Sequence, residues 1–143
     1  MATRNGSAEW GGDLQSGAGS LTVGEGVFAG DYSFASRFEE GEGTNPEELI
    51  AAAHAACFSM ALSGELAGHG HPIESVRTTA RVHLRNVDGA PTIARIELET
   101  EGRIEGIDQG HFEEHAQQAK ENCPVSRALA GVAEMEVTAR LVA

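Results

Sequence analysis

Aromatic side chains are scarce in this 143-residue chain, which has one Trp, one Tyr and five Phe. Its core must therefore be built mainly from Ala, Leu, Val and Ile. Positive charge is also in short supply: ten Lys and Arg stand against 22 Asp and Glu, a net charge of −12. A field of that sign repels phosphate backbones and anionic lipid headgroups, so nucleic acid and membrane surfaces are poor partners. No stretch is expected to approach the length of a transmembrane helix, and the opening MATRNGSAEW lacks the apolar centre of a signal peptide. A cytoplasmic protein is the expectation. There are only two cysteines, too few for a disulfide scaffold. In a reducing compartment they are expected to be catalytic or simply buried. Phosphate-binding loops, dinucleotide fingerprints and serine hydrolase elbows are missing, as are repeats and low-complexity linkers. The length suits a single domain over 1–143.

Glycine, by contrast, is abundant, with 18 residues concentrated in the first half. Residues 1–40 read as short β-pieces, among them Leu21-Thr22-Val23 and the stretch 34–38, separated by glycine clusters. Thr44 and Asn45 then offer caps, Pro46 suits a first helical position, and Glu47 and Glu48 complement the positive end of a helix dipole. The helix that follows, 49–67, is Ala-rich and apolar on nearly all sides, a pattern that asks for burial all round. A chain this short has difficulty wrapping such a helix alone, and a homodimer would supply the cover. Next come two alternating strands, with Val76, Thr78, Ala80, Val82 and Leu84 on one and Ala94, Ile96, Leu98 and Thr100 on the other. They join through an Asp88-Gly89 turn. Arg77, Arg81 and Arg85 on the first strand face Glu97, Glu99 and Glu101 on the second. A helix from about 108 puts Phe112, Ala116, Ala119 and Cys123 on one face. Pro124 pushes Cys123 out of helical geometry, and a short helix over 125–129 and a strand over 133–141 complete the order.

Two thiols are what stepwise peroxide reduction needs, one to form a sulfenic acid and one to condense with it. Cys57 lies mid-helix, where burial and a net negative chain both oppose ionisation. A reactive Cys57 therefore requires a nearby cation, and Arg37 is a candidate, on the same strand face as Ser33 and Ala35. Each of these residues also has an inert reading: small apolar fillers for the cysteines, a surface arginine for Arg37. His54 is one turn before Cys57, where it could tune the thiol or merely pack. The stretch His111-Phe112-Glu113-Glu114-His115 matches an inverted zinc-peptidase motif, with the solvated shoulder of a helix as its bland alternative. His69 and His71 flank Gly70 at a spacing that a metal could use.

The run 43–62, GTNPEELIAAAHAACFSMAL, together with Cys123-Pro124-Val125-Ser126 and the preceding FASRFE at 34–39, closely resembles the OsmC/Ohr family. The resemblance covers essentially the whole chain. The position of Arg37, just before the long helix, and the form of the His-Ala-Ala-Cys-Phe-Ser-Met-Ala block favour its OsmC branch. The resemblance implies an α+β fold working as an intertwined homodimer, two long central helices wrapped by antiparallel sheets. It implies a cysteine-based peroxidase that reduces organic hydroperoxides, and hydrogen peroxide more weakly, in stress defence. Cys57 would be the peroxidatic thiolate, Arg37 the cation that ionises it, Glu47 the carboxylate that orients Arg37, and Cys123 the resolving thiol. A dithiol, small or lipoyl-type, would be the reductant, and no metal or organic cofactor is implied. A redox-sensing or binding module of the same fold, keeping inert cysteines, is the alternative.

Overall fold

The computed structural model describes residues 2–142. The chain is an α+β protein with two compact units, one up to Leu49 and one from Ile50 onward.

The first unit is a three-stranded antiparallel sheet, β1 (Gly6–Gly11), β2 (Ala18–Val23) and β3 (Phe28–Tyr32), in that order. Gly19 is opposite both Trp10 and Tyr32, whose rings stand 5.4 Å apart. A Cβ at Gly19 would come within 2.5 Å of the Tyr32 ring, so only glycine lets the two aromatics close over the strand. The stretch expected as a strand at 34–38 is instead a short helix, α1 (Phe34–Phe38). The cause is local. The Ser33 side chain caps the Ser36 N–H, and the Ser36 hydroxyl accepts from the Ser33 N–H in return, closing a capping box. Phe34 and Phe38, four apart, then stack their rings at 4.9 Å. Arg37 thus does not share a strand face with Ser33 and Ala35.

The long helix α2 (Pro46–Gly68) crosses the boundary between units without a break. It begins where its sequence says it should. Pro46 is its first residue, and the Asn45 side chain accepts from the Glu48 N–H at 2.8 Å. By length and composition α2 is long and apolar enough to cross a membrane, which overturns the expectation that no stretch approaches that size. One side of it is committed to the second unit: Phe58, Leu62 and Leu66 are fully buried there, each such side chain contributing about 1.5–3 kcal/mol. On the other side Ala52, Ala53 and Ala56 are exposed, and Met60 is 77% exposed.

The second unit adds β4 (Ser75–Val87), β5 (Ala90–Arg103), α3 (Gln109–Asn122), α4 (Pro124–Ala128) and β6 (Glu134–Leu141). The sheet order is β4-β5-β6, antiparallel then parallel. Asp88 and Gly89 both take positive φ, 51° and 84°, the pattern of a two-residue hairpin turn matched to strand twist. The outer face carries cross-strand charge pairs of the expected kind, Arg81 with Glu99 at 2.7 Å and His83 with Glu97, while Glu101 is taken by Arg140 of β6. Arg95 reaches across to Glu134 and Glu136 on β6, at 2.8 Å each. On the inner face Leu98 and Ala139 meet Phe112, Ala116 and Ala119 from α3, Cys123 just beyond it, and the apolar side of α2. The Gln109 side chain ties α3 to β6, donating to the Ala139 carbonyl and accepting from the Leu141 N–H.

Candidate active site

The four residues singled out from the sequence fall into two groups. Arg37 and Glu47 are together in the first unit. The Arg37 Nε lies 3.0 and 3.2 Å from the two Glu47 carboxylate oxygens, and its terminal nitrogen is 2.8 Å from one of them. Such a forked contact fixes the plane of the guanidinium as well as its place. Glu47 is buried and Arg37 about a third exposed, so the carboxylate is the anchor and the guanidinium the accessible end. Arg37 also stands over the Phe38 ring, 5.2 Å from its centre. A cavity of about 220 Å³ lined by Trp10, Leu14, Tyr32, Phe34, Arg37 and Phe38 opens beside it, mostly apolar with a single charge in its wall.

The thiols belong to the second unit. Cys57 is half-buried in the middle of α2, and Cys123 is fully buried between α3 and α4. Neither forms a disulfide, and Cys57 packs against the buried cluster that contains Cys123, near enough for each thiol to shift the other's ionisation. As Pro124 requires, Cys123 leaves helical geometry (φ −60°, ψ 122°), closing α3 and capping α4 at once. Burial pushes the Cys57 thiol up, as does its neighbour Cys123, against a lowering contact from the Val125 backbone. For Cys123 burial acts in the same raising sense but is outweighed. The Ser126 N–H, the Cys57 thiol, the Ser126 hydroxyl and the Val125 N–H together hold it below the ordinary thiol range. Within this unit, therefore, burial and its neighbour thiol both oppose a charge on Cys57.

His54 and Ser126 support the pair, and only a partial signal for them is present in the sequence. His54 is fully buried, and its Nε2 is 2.7 Å from the Ser126 hydroxyl. Nδ1 is buried without a hydrogen-bond partner. Burial holds His54 below the usual imidazole range, so it is neutral near pH 7. The available signal is local: His54 is one turn before Cys57, and Ser126 is within the Cys-Pro-Val-Ser block. Together the contacts His54–Ser126, Cys57–Cys123 and Glu65–His115 step forward along α2 and equally backward along α3 and α4, the register of an antiparallel pair.

The zinc-peptidase arrangement does not assemble. His111 Nδ1 pairs with its own helix cap, Asp108, at 2.9 Å, while His115 Nδ1 turns to Glu65 at 3.0 Å.

A family model described as OsmC-like protein matches residues 39–138. The chain is 47% identical over 127 residues to the peroxiredoxin OsmC of Escherichia coli K12, covering 88% of this chain and 89% of the relative. Among solved structures it resembles an organic hydroperoxide resistance protein OsmC from Legionella pneumophila, with 26% identity, full coverage of both chains and a TM-score of 0.72. The organic hydroperoxide resistance protein OhrB of Bacillus subtilis is similar at 26% identity and a TM-score of 0.69, covering 96% of this chain and 98% of that one.

Proposed function

The chain belongs to the OsmC-like protein family, and from that membership we propose that it is a thiol peroxidase that reduces organic hydroperoxides through Cys57 and Cys123. The observation that carries the reading is the thiol pair itself, neighbours in the packing of the second unit although 66 positions separate them in the sequence. In the first step the Cys57 thiolate attacks the terminal oxygen of the hydroperoxide. The O–O bond breaks, sulfur becomes a sulfenic acid, and the alkoxide leaves to take a proton as alcohol. Cys123 then attacks the Cys57 sulfur, forming the disulfide and releasing water. A dithiol, small or lipoyl-type, reduces that disulfide and is itself oxidised.

Attack by Cys57 requires offsetting the burial that keeps its proton on within the second unit. A fixed guanidinium is suited to this, because it offsets the cost of burying a thiolate and stabilises charge building on the peroxide oxygens. Arg37, oriented by buried Glu47 and flanked by an apolar cavity, is the cation we assign. An organic hydroperoxide fits that surround better than hydrogen peroxide does, since its hydrocarbon part gains from leaving water. Glu47 precedes Cys57 by ten residues, about 15 Å of helix rise. An antiparallel partner helix would bring the Arg37–Glu47 pair of one chain to the Cys57 of another, and the exposed Ala and Met60 side of α2 would then be covered. The working form we propose is accordingly a homodimer of one-domain chains in a reducing cytoplasm, where free thiols persist.

Stopped-flow mixing of reduced protein with cumene hydroperoxide tests the assignment. One equivalent should remove both free thiols, and hydrogen peroxide should react more slowly. Cys57→Ser should abolish turnover, whereas Cys123→Ser should keep the first oxidation and then over-oxidise. Undiminished turnover in the Cys57→Ser protein would end this reading.

A further inference from the structure

The described residues hold a second convergence of chemistry-bearing side chains, away from the thiols. Glu65 on the last turns of α2, His69 just beyond that helix and His115 midway along α3 each offer one ligand atom, all within 4.8 Å of one another. The Glu65 Oε1 is 3.0 Å from His115 Nδ1 and 3.6 Å from His69 Nδ1. The two imidazole rings stand 4.7 Å apart, tilted at 54°, and the His71 ring is 6.4 Å from that of His115.

We infer that Glu65, His69 and His115 form a binding site for a divalent transition ion of the zinc type. Two ligands bound to zinc at about 2.0–2.1 Å and at a tetrahedral angle lie roughly 3.4 Å from each other. The separations of 3.0 and 3.6 Å around Oε1 bracket that value, so an ion enters with small side-chain shifts. Two imidazoles and one carboxylate suit zinc and its first-row neighbours. The set is too rich in nitrogen for calcium or magnesium, and it has no sulfur to select copper(I). His69 Nδ1 also lies 2.8 Å from the Glu65 carbonyl. Nδ1 is the atom whose spacing from Oε1 suits the ion, so binding exchanges that carbonyl contact for the metal. Glu65 and His115 are largely buried while the His69 side chain is 59% exposed. The site is therefore preformed on its helix side and open on its loop side, where water or His71 completes the coordination. Glu65 is eight residues after Cys57 and His115 eight before Cys123, about 12 Å along each helix. At that distance the ion clips the end of α2 and the loop after it to α3, and takes no part in peroxide chemistry.

The test uses the Cys57→Ser, Cys123→Ser chain, so that no thiolate competes for the metal. Competition with a chromophoric chelator should show one zinc ion bound per chain, and cobalt(II) should give a visible d–d band without a sulfur charge-transfer band. His69→Ala, at an exposed position that the fold does not need, should weaken binding by more than the roughly 10–100-fold that loss of an outer hydrogen-bond partner costs. His111→Ala, whose ring pairs with Asp108, should leave the affinity unchanged. Zinc should also raise the melting temperature of the parent chain and not that of His69→Ala. Absence of stoichiometric binding in the parent, or equal affinity in His69→Ala, would overturn the site.

Discussion

The two units solve opposite problems. The first fixes a charge: Arg37 is clamped by a buried carboxylate on a helix only five residues long, between a serine capping box and an aromatic ring. The second buries sulfur: Cys57 and Cys123 are held among apolar side chains, with backbone amides and a hydroxyl as their polar company. What differs is the treatment of ionisation. The groups that act on Cys57 in the second unit, burial foremost, keep its proton on, whereas the first unit presents a permanent cation. The proposed peroxidase reading draws one property from each.

The largest effect should come from removing the charge. Arg37→Ala is expected to slow oxidation of Cys57 by about 10²–10³-fold, the scale seen when a preorganised electrostatic group is lost from a reaction centre. The sign follows from burial. Without the cation the Cys57 thiol titrates above the ordinary range, so its alkylation should require more alkaline solution than in the parent. An alkylation-against-pH curve that does not move would take the role away from Arg37.

An intermediate effect is expected from mixing chains. Cys57→Ser and Glu47→Ala proteins, each nearly inactive alone, should regain about a quarter of parental activity when unfolded and refolded together, because half the dimers are mixed and each of those restores one site. Demonstrated exchange of chains without recovered activity would place the charge pair and the thiol in the same chain.

The smallest effect belongs to the second unit alone. His54 is buried with its imidazole held low, so the unfolded chain takes up the proton first as solution is acidified. Stability from this group is full above the ordinary imidazole value near 6.5 and is lost as pH falls below it, by at most about 1.4 kcal/mol per pH unit. Urea unfolding of reduced protein from pH 8 to 5 should show that slope, and His54→Gln should flatten it. An unchanged slope would mean that other groups carry the acid dependence.

Much of this architecture is legible in the residues themselves. Asn45 and Pro46 mark the start of α2, Asp88-Gly89 the hairpin turn, and Pro124 the break at Cys123, because each acts through its own backbone. The 34–38 stretch reads as a strand and folds as a helix, since five residues are too few to separate a strand period from a helical one. Ser33 with Ser36, and Phe34 with Phe38, are the helical cues in it. The apolar length of α2 is harder to see because His54 and Glu65 interrupt it. Pairings such as His54 with Ser126, 72 positions apart, and the parallel placement of β6 beside β5 are set by tertiary packing and have no local signature.

The matched steps along α2 and the α3–α4 segment also bear on how such a sequence can vary in length. One residue inserted between Cys57 and Glu65, or between His115 and Cys123, would turn everything beyond it by about 100° around the helix. The Glu65–His115 contact would then be lost even where the thiols still met. Among descendants of this chain, insertions and deletions should therefore collect in the glycine-rich turns of the first unit, and those two eight-residue intervals should keep their length.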